Sequence, residues 1–118
     1  MDQRIAVVGS RSFKNYEFLK SILDAYIGIV LVIVSGGAAG ADKLAERWAK
    51  DNGVPLKVFY PSWKRYGKAA GPIRNQEIVD NCDFVIAFWD GKSRGTMDTL
   101  KKAVIAHKEV KIYWRGDE

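Results

Sequence analysis

Ser35-Gly36-Gly37-Ala38-Ala39-Gly40-Ala41-Asp42 joins two stretches of opposite character. An apolar run, Ile29 to Val34, leads into it, and an amphipathic stretch, Ala41 to Asn52, leads out. This reads as a buried strand, a glycine turn and a helix opening on that turn. Backbone N–H groups at such a turn approach an anion closely, and the helix dipole favours negative charge there. The turn is therefore expected to hold the phosphate of a nucleotide-like ligand.

On the N-terminal side, Arg4-Ile5-Ala6-Val7-Val8 reads as a short apolar strand broken by Gly9-Ser10-Arg11-Ser12. Asn15 suits the cap of a helix carrying Leu19, Ile22, Leu23 and Tyr26 at helical spacing. On the C-terminal side, Leu44, Ala45, Trp48 and Ala49 share one face of the helix after the turn, and Leu56–Tyr60 is a third strand. A loop is expected from Pro61 to about Gly71, then a helix with Pro72 in its first turn, where a missing N–H costs nothing. Phe84–Phe88 is a fourth strand. Thr96 or Asp98 begins a fourth helix with Met97, Leu100, Val104 and His107 in register. Val110–Trp114 is a fifth strand, and Arg115–Glu118 a polar tail.

The pattern alternates strand and helix without repeats or linker, so one domain over residues 1–118 is expected. Apolar strands without alternation suggest burial on both faces. Alternation with helices implies a parallel sheet with right-handed crossovers. The expected fold is α/β, a Rossmann-like three-layer sandwich with five parallel strands in the order 3-2-1-4-5. Ligands of such sheets bind at the carboxyl ends of the strands, where the order reverses. Here that is between the first and fourth strands.

The chain has 118 residues, 47% of them hydrophobic, and a formal net charge of +5. The charge favours an anionic partner without choosing between nucleotide, nucleic acid and phosphorylated metabolite. Cys82 is the sole cysteine and His107 the sole histidine. That excludes an internal disulfide and leaves no metal site or Ser-His triad to expect. No apolar run approaches the roughly 20 residues of a membrane span. Met1 leads straight into a strand, so no signal peptide is expected, and the location expected is cytoplasmic.

The loops at the carboxyl edge carry Arg11, Lys14, Lys64, Arg65, Lys68, Arg74, Lys92 and Arg94 against few acids, chiefly Asp42 and Asp90. Three helix N-termini face the same edge, after the glycine turn, at Gly71–Asn75 and at Ser93–Thr96. Ser93 and Thr96 suit either phosphate oxygens or a helix cap. A cation on a first helical turn opposes the dipole unless an anion is near, which marks Arg74 among the arginines. Trp63, Tyr66 and Trp89 lie on these loops and offer faces for a base to stack on, or pack the loops onto the sheet. Trp48 and Trp114 read as packing residues, Cys82 as a small buried hydrophobe, and Tyr16, Phe18 and Tyr26 as the face of a homodimer.

Together, Val8-Gly9-Ser10-Arg11, Ser35–Asp42, Gly71-Pro72-Ile73-Arg74-Asn75 and Asp83–Phe88 followed by Ser93-Arg94-Gly95-Thr96 resemble the YspA-like, YpsA-related branch of the SLOG superfamily. The resemblance covers nearly the whole chain in order. It implies a Rossmann-like domain that binds nucleotides or nucleotide-derived ligands, with no cofactor. The residues expected at the ligand are Gly9, Ser10, Arg11, Gly36, Gly37, Gly40, Asp42, Arg74, Asn75, Ser93, Gly95 and Thr96.

Related Lonely Guy phosphoribohydrolases cleave the N-glycosidic bond of nucleoside 5′-monophosphates. Against their pattern, Arg74 takes the place of the catalytic arginine and Gly95-Thr96 matches the later Gly-Thr. The family's glutamate falls at Thr99. Asp98 is adjacent in sequence but about 100° around the helix. Cleavage through an oxocarbenium-like state wants a carboxylate. The main expectation is thus binding or sensing of a nucleotide. One alternative is an N-glycosidase using Arg74 and Asp98, with Asp42 or Asp90 as other carboxylates, although Asp42 reads rather as orienting a ribose or bracing its own turn. The other is single-stranded nucleic-acid binding, since the superfamily includes DNA-processing protein A.

Overall fold

The computed structural model describes residues 2–114. The polar tail at 115–118 and Met1 lie outside the described residues. Five strands form one parallel sheet in the order β3-β2-β1-β4-β5. They are β1 (Gln3–Gly9), β2 (Val30–Ser35), β3 (Leu56–Val58), β4 (Phe84–Phe88) and β5 (Glu109–Tyr113). The helices are α1 (Tyr16–Leu23), α2 (Ala41–Asp51), α3 (Trp63–Tyr66), α4 (Ala70–Asp80) and α5 (Arg94–Ile105). This is the Rossmann-like architecture and strand order expected from the sequence.

The pleat divides the core into two layers. Ile5 and Val7 of β1, with Ile33 and Ile86, pack against Leu19 and Leu23 of α1 and Ala45, Trp48 and Ala49 of α2. Ala6 and Val8, with Val34, Val85 and Ala87, pack against Ile78 and Val79 of α4 and Leu100 and Ala103 of α5. The central strands are therefore apolar along the stretches Ile5–Val8 and Phe84–Phe88, where each face meets a helix pair. Cys82 is buried in the second layer, as expected. Trp48 is fully buried, and its indole N–H donates to Asp24 at 2.9 Å.

Several element boundaries differ from expectation. The segment read as a loop from Pro61 holds α3 and a 3-10 turn at Gly67–Ala69, and α4 begins at Ala70. Neither α3 nor that turn buries a residue, so no apolar stripe announced them. Helix α5 starts at Arg94, because the Ser93 hydroxyl caps it by accepting the Thr96 N–H. Its buried face is Thr96, Thr99, Leu100 and Ala103, whereas Met97 and Val104 are exposed. His107 is exposed with φ 60° just past the helix, so a left-handed stop explains it better than core contact. Trp114 is partly exposed and leans on Phe13. Tyr16, Phe18 and Tyr26, read as a dimer face, pack against the chain's own core.

Candidate functional site

The carboxyl ends of β1 and β4 diverge at the point where strand order reverses. Ser10, buried, ties the elements there together. Its N–H donates to the Phe88 carbonyl (2.9 Å), its carbonyl accepts from Phe13 (3.2 Å) and Ala41 (3.4 Å), and its hydroxyl accepts from the Asp90 N–H (3.0 Å). Two glycines make this closeness feasible. A Cβ on Gly9 would lie 2.3 Å from the Phe88 carbonyl oxygen, and one on Gly40 would lie 2.3 Å from the Ser10 carbonyl oxygen.

A cleft of about 460 Å³ opens above this junction. Gly9, Ser10, Arg11, Asp42, Arg74, Asn75, Ser93, Gly95 and Thr96 line it, together with Val8, Ser12, Ala38, Ile78, Asp90 and Thr99. Most residues singled out in the sequence thus meet in one place. Gly36, Gly37 and Gly40 stand behind the lining. Lys14, Lys64, Arg65, Lys68, Lys92 and Arg94 are exposed outside it. The lining also includes Ser12 and Ile78, which sequence reasoning passed over. Ser12 follows Arg11 in the loop after β1, and Ile78 lies one helical turn beyond Arg74; that spacing is the signal by which they could have been found.

The glycine turn is already occupied by the chain's own carboxylate. Asp42 Oδ2 accepts the N–H groups of Gly36 (3.1 Å) and Ala38 (3.2 Å). The Gly37 N–H donates to the Ser35 hydroxyl (3.1 Å), which in turn donates to Glu46 (2.8 Å). Amides expected to face a phosphate are therefore spent inside the loop. Burial pushes the Asp42 carboxyl up to about 6, against the opposing pull of the loop amides and Arg74.

Arg74 crosses from α4 to that loop. Its Nη1 donates to the carbonyls of Gly36 and, at 3.4 Å, Phe59, and its Nε donates to Asn75 Oδ1 at 3.0 Å. A Cβ on Gly36 would sit within 3 Å of both Arg74 Nη1 and Asp42 Oδ2, so only glycine leaves the guanidinium room. Because α4 begins at Ala70, Arg74 lies beyond the first turn. Carbonyl contacts, not the helix dipole, account for its place. Burial draws its pKa below the ordinary value, Asp42 works against that, and the nearby Arg11 adds to it.

Asn75, also buried, passes the Arg74 contact on. Its amide donates to Asp98 Oδ2 at 3.0 Å and to the Gly95 carbonyl at 3.4 Å. Lys102 donates to both Asp98 oxygens at 2.6 and 2.7 Å. Burial acts to raise the Asp98 carboxyl, but the Lys102 and Asn75 bonds hold it below the ordinary range. Asp98 is thus bound to the flank of α5 and outside the lining. Thr99 occupies the lining position, its hydroxyl donating to the Gly95 carbonyl at 3.1 Å. Asp90 accepts the N–H groups of Lys92 (2.8 Å) and Ser93 (3.0 Å), which hold its pKa down. The Ser93 and Thr96 hydroxyls lie 3.0 Å apart at the start of α5. The Trp89 indole N–H donates to the Ser93 carbonyl at 3.1 Å, so this ring braces its loop.

The parallel sheet, its strand order and a polar cleft at the reversal define a Rossmann-like protein. The chain belongs to the YspA, cpYpsA-related SLOG family (YAcAr), whose model matches residues 3–66. It is 34% identical to the Gene 61 protein of Mycobacterium phage D29, over 86% of this chain and 88% of that protein. Among solved structures it is similar to DNA processing protein A (DprA) from Streptococcus pneumoniae, with a TM-score of 0.80 at 24% identity. That likeness covers 94% of this chain and 50% of the DprA chain, so it concerns half of the larger protein and speaks to the fold. No helix among the described residues is long and apolar enough to cross a membrane.

Proposed function

We propose that this protein binds a nucleotide or nucleotide-derived ligand in the cleft at the strand reversal, through the ligand's phosphate. One observation carries the reading. Arg74 is half-buried on the cleft wall, held by carbonyl oxygens and the Asn75 amide oxygen, with no carboxylate hydrogen-bonded to it among the described residues. A partly desolvated guanidinium kept in place this way has its Nη2 N–H groups left for an anion. The N-terminus of α5, with the Ser93 and Thr96 hydroxyls, borders the same cleft and favours negative charge.

Calorimetry and thermal shift with AMP, ADP and ADP-ribose test the reading. Saturable binding in the micromolar range is expected, lost by at least about tenfold on Arg74→Ala. No response to any of the three would end it.

Cleavage of the N-glycosidic bond draws less support. The carboxylates lining the cleft, Asp42 and Asp90, are both engaged by backbone N–H groups, and Asp98 is engaged by Lys102 and Asn75. Release of free base from AMP, GMP, CMP or UMP would restore it. Single-stranded nucleic-acid binding has one observation of its own. Tyr60, Trp63 and Tyr66 are exposed beside the exposed Lys64, Arg65 and Lys68, a mixture of rings and cations suited to bases and phosphates. The name of the structural neighbour, a DNA processing protein, points the same way.

A further inference from the structure

We infer that the cleft recognises the sugar–phosphate part of its ligand and leaves the base unread. The inference rests on the phosphate reading above and narrows it.

Asp42 is buried, lines the cleft, and spends only Oδ2 on the loop amides. No donor reaches its Oδ1 among the described residues. Since no occluded side-chain oxygen among the described residues lacks a partner, Oδ1 is not fully occluded, and the cleft is the space that Asp42 borders. A carboxylate oxygen thus waits beside Arg74. A phosphate drawn to Arg74 meets repulsion from Asp42 unless a hydrogen-bond donor of the ligand comes between. An ammonium would serve Asp42 but would face both Arg74 and Arg11, which already lie close enough to affect each other. A neutral hydroxyl satisfies the carboxylate without that conflict. A phosphate with a hydroxyl a few bonds away is the pattern of a sugar phosphate.

The lining offers nothing comparable to a base. Among the described residues it contains no aromatic ring, and its apolar side chains are Val8, Ala38 and Ile78. Stacking on a ring is worth about 1–3 kcal/mol per base, and here it has no surface to act on.

Isothermal titration with AMP, UMP, ribose 5-phosphate and 2′,3′-dideoxyadenosine 5′-monophosphate tests this. Ribose 5-phosphate is expected to bind within about threefold of AMP and UMP, and the dideoxy nucleotide at least about tenfold more weakly than AMP. Asp42→Asn should narrow the gap between AMP and its dideoxy analogue. Because Asp42 also braces the loop, the ratio of the two affinities is the readout. If the variant does not fold, the ligand pair on the native protein decides alone. AMP binding more than about tenfold tighter than ribose 5-phosphate, or equal binding of AMP and the dideoxy nucleotide, overturns the inference and leaves the phosphate reading standing. Failure of all four to bind overturns the inference, and the phosphate reading falls with it only if ADP and ADP-ribose also fail to bind.

Discussion

Gly40 brings the loop after β1 onto the start of α2, with φ 82° and no room for a Cβ beside the Ser10 carbonyl. Gly91 has a similar φ of 81°, but a Cβ there meets nothing within 4 Å. Gly91→Ala is therefore expected to cost only backbone strain, about 1 kcal/mol, and Gly40→Ala about 3 kcal/mol or more. Urea unfolding of the two variants checks the difference. At Asp42, the native carboxyl titrates near 6 and the free side chain near 3.8. Between those values the native state holds the proton more tightly, so this group lowers stability as pH rises and the loss is complete above 6. Asp42→Asn removes that loss. Its stability relative to the native protein should improve by about 2 kcal/mol from pH 4 to pH 7, then level off.

Helices α4 and α5 act as a pair through a line of side chains that begins outside the cleft and ends on its wall. Lys102, Asp98, Asn75 and Arg74 form one hydrogen-bonded line from α5 to α4, ending at the guanidinium. Asp98→Ala leaves Asn75 free to turn and Arg74 less firmly held. AMP affinity should fall about threefold to tenfold, while the cleft's own donors stay intact. Asp98→Asn retains a partner for Asn75 and should recover most of the loss. At the opposite edge of the sheet, Arg4 and Asp83 join β1 to β4. Asp83 accepts the Arg4 N–H at 2.9 Å and both guanidinium contacts, at 3.1 and 2.9 Å. The Arg4 side-chain bond foremost, then its backbone N–H, draws the Asp83 carboxyl down to about 2. The stability this provides is full above about pH 4 and fades as pH falls through about 2. Being partly exposed, the pair is worth about 1–2 kcal/mol. Asp83→Asn should lose that amount at pH 7 and converge with the native protein in acid unfolding.

The architecture of the whole molecule was legible because each link was local. Continuous apolar strands, each followed by a helix with one apolar face, leave a parallel sheet as the natural packing, and the reversal then places the cleft. What escaped the sequence depended on contacts across the fold. Phe13 sits in a loop read for its glycine and arginine, yet it is fully buried and stacks on Phe88 at 4.9 Å. Asp42 bracing its own turn is among the readings of the sequence, but nothing in spacing shows that Arg74 reaches Gly36 from another helix. Helix α3 buries nothing, so it left no periodic trace. The basic surface beyond the cleft belongs to the same scale. If it tracks a nucleic-acid backbone, oligonucleotide binding weakens steeply with salt, whereas AMP binding to the cleft depends on salt only shallowly. Titrations at two ionic strengths separate them.

The carboxylate of Asp42 gives the glycine loop an anion that never leaves. A loop braced from within needs no ligand to hold its shape, so binding as proposed above would have no folding step to wait for. If association ran no slower than the roughly 10⁵–10⁷ M⁻¹ s⁻¹ typical of protein pairs, release would be correspondingly prompt. At micromolar affinity a ligand stays between about a tenth of a second and ten seconds. On the proposed reading, a protein built this way would follow the level of its ligand as it rises and falls, a gauge more than a store.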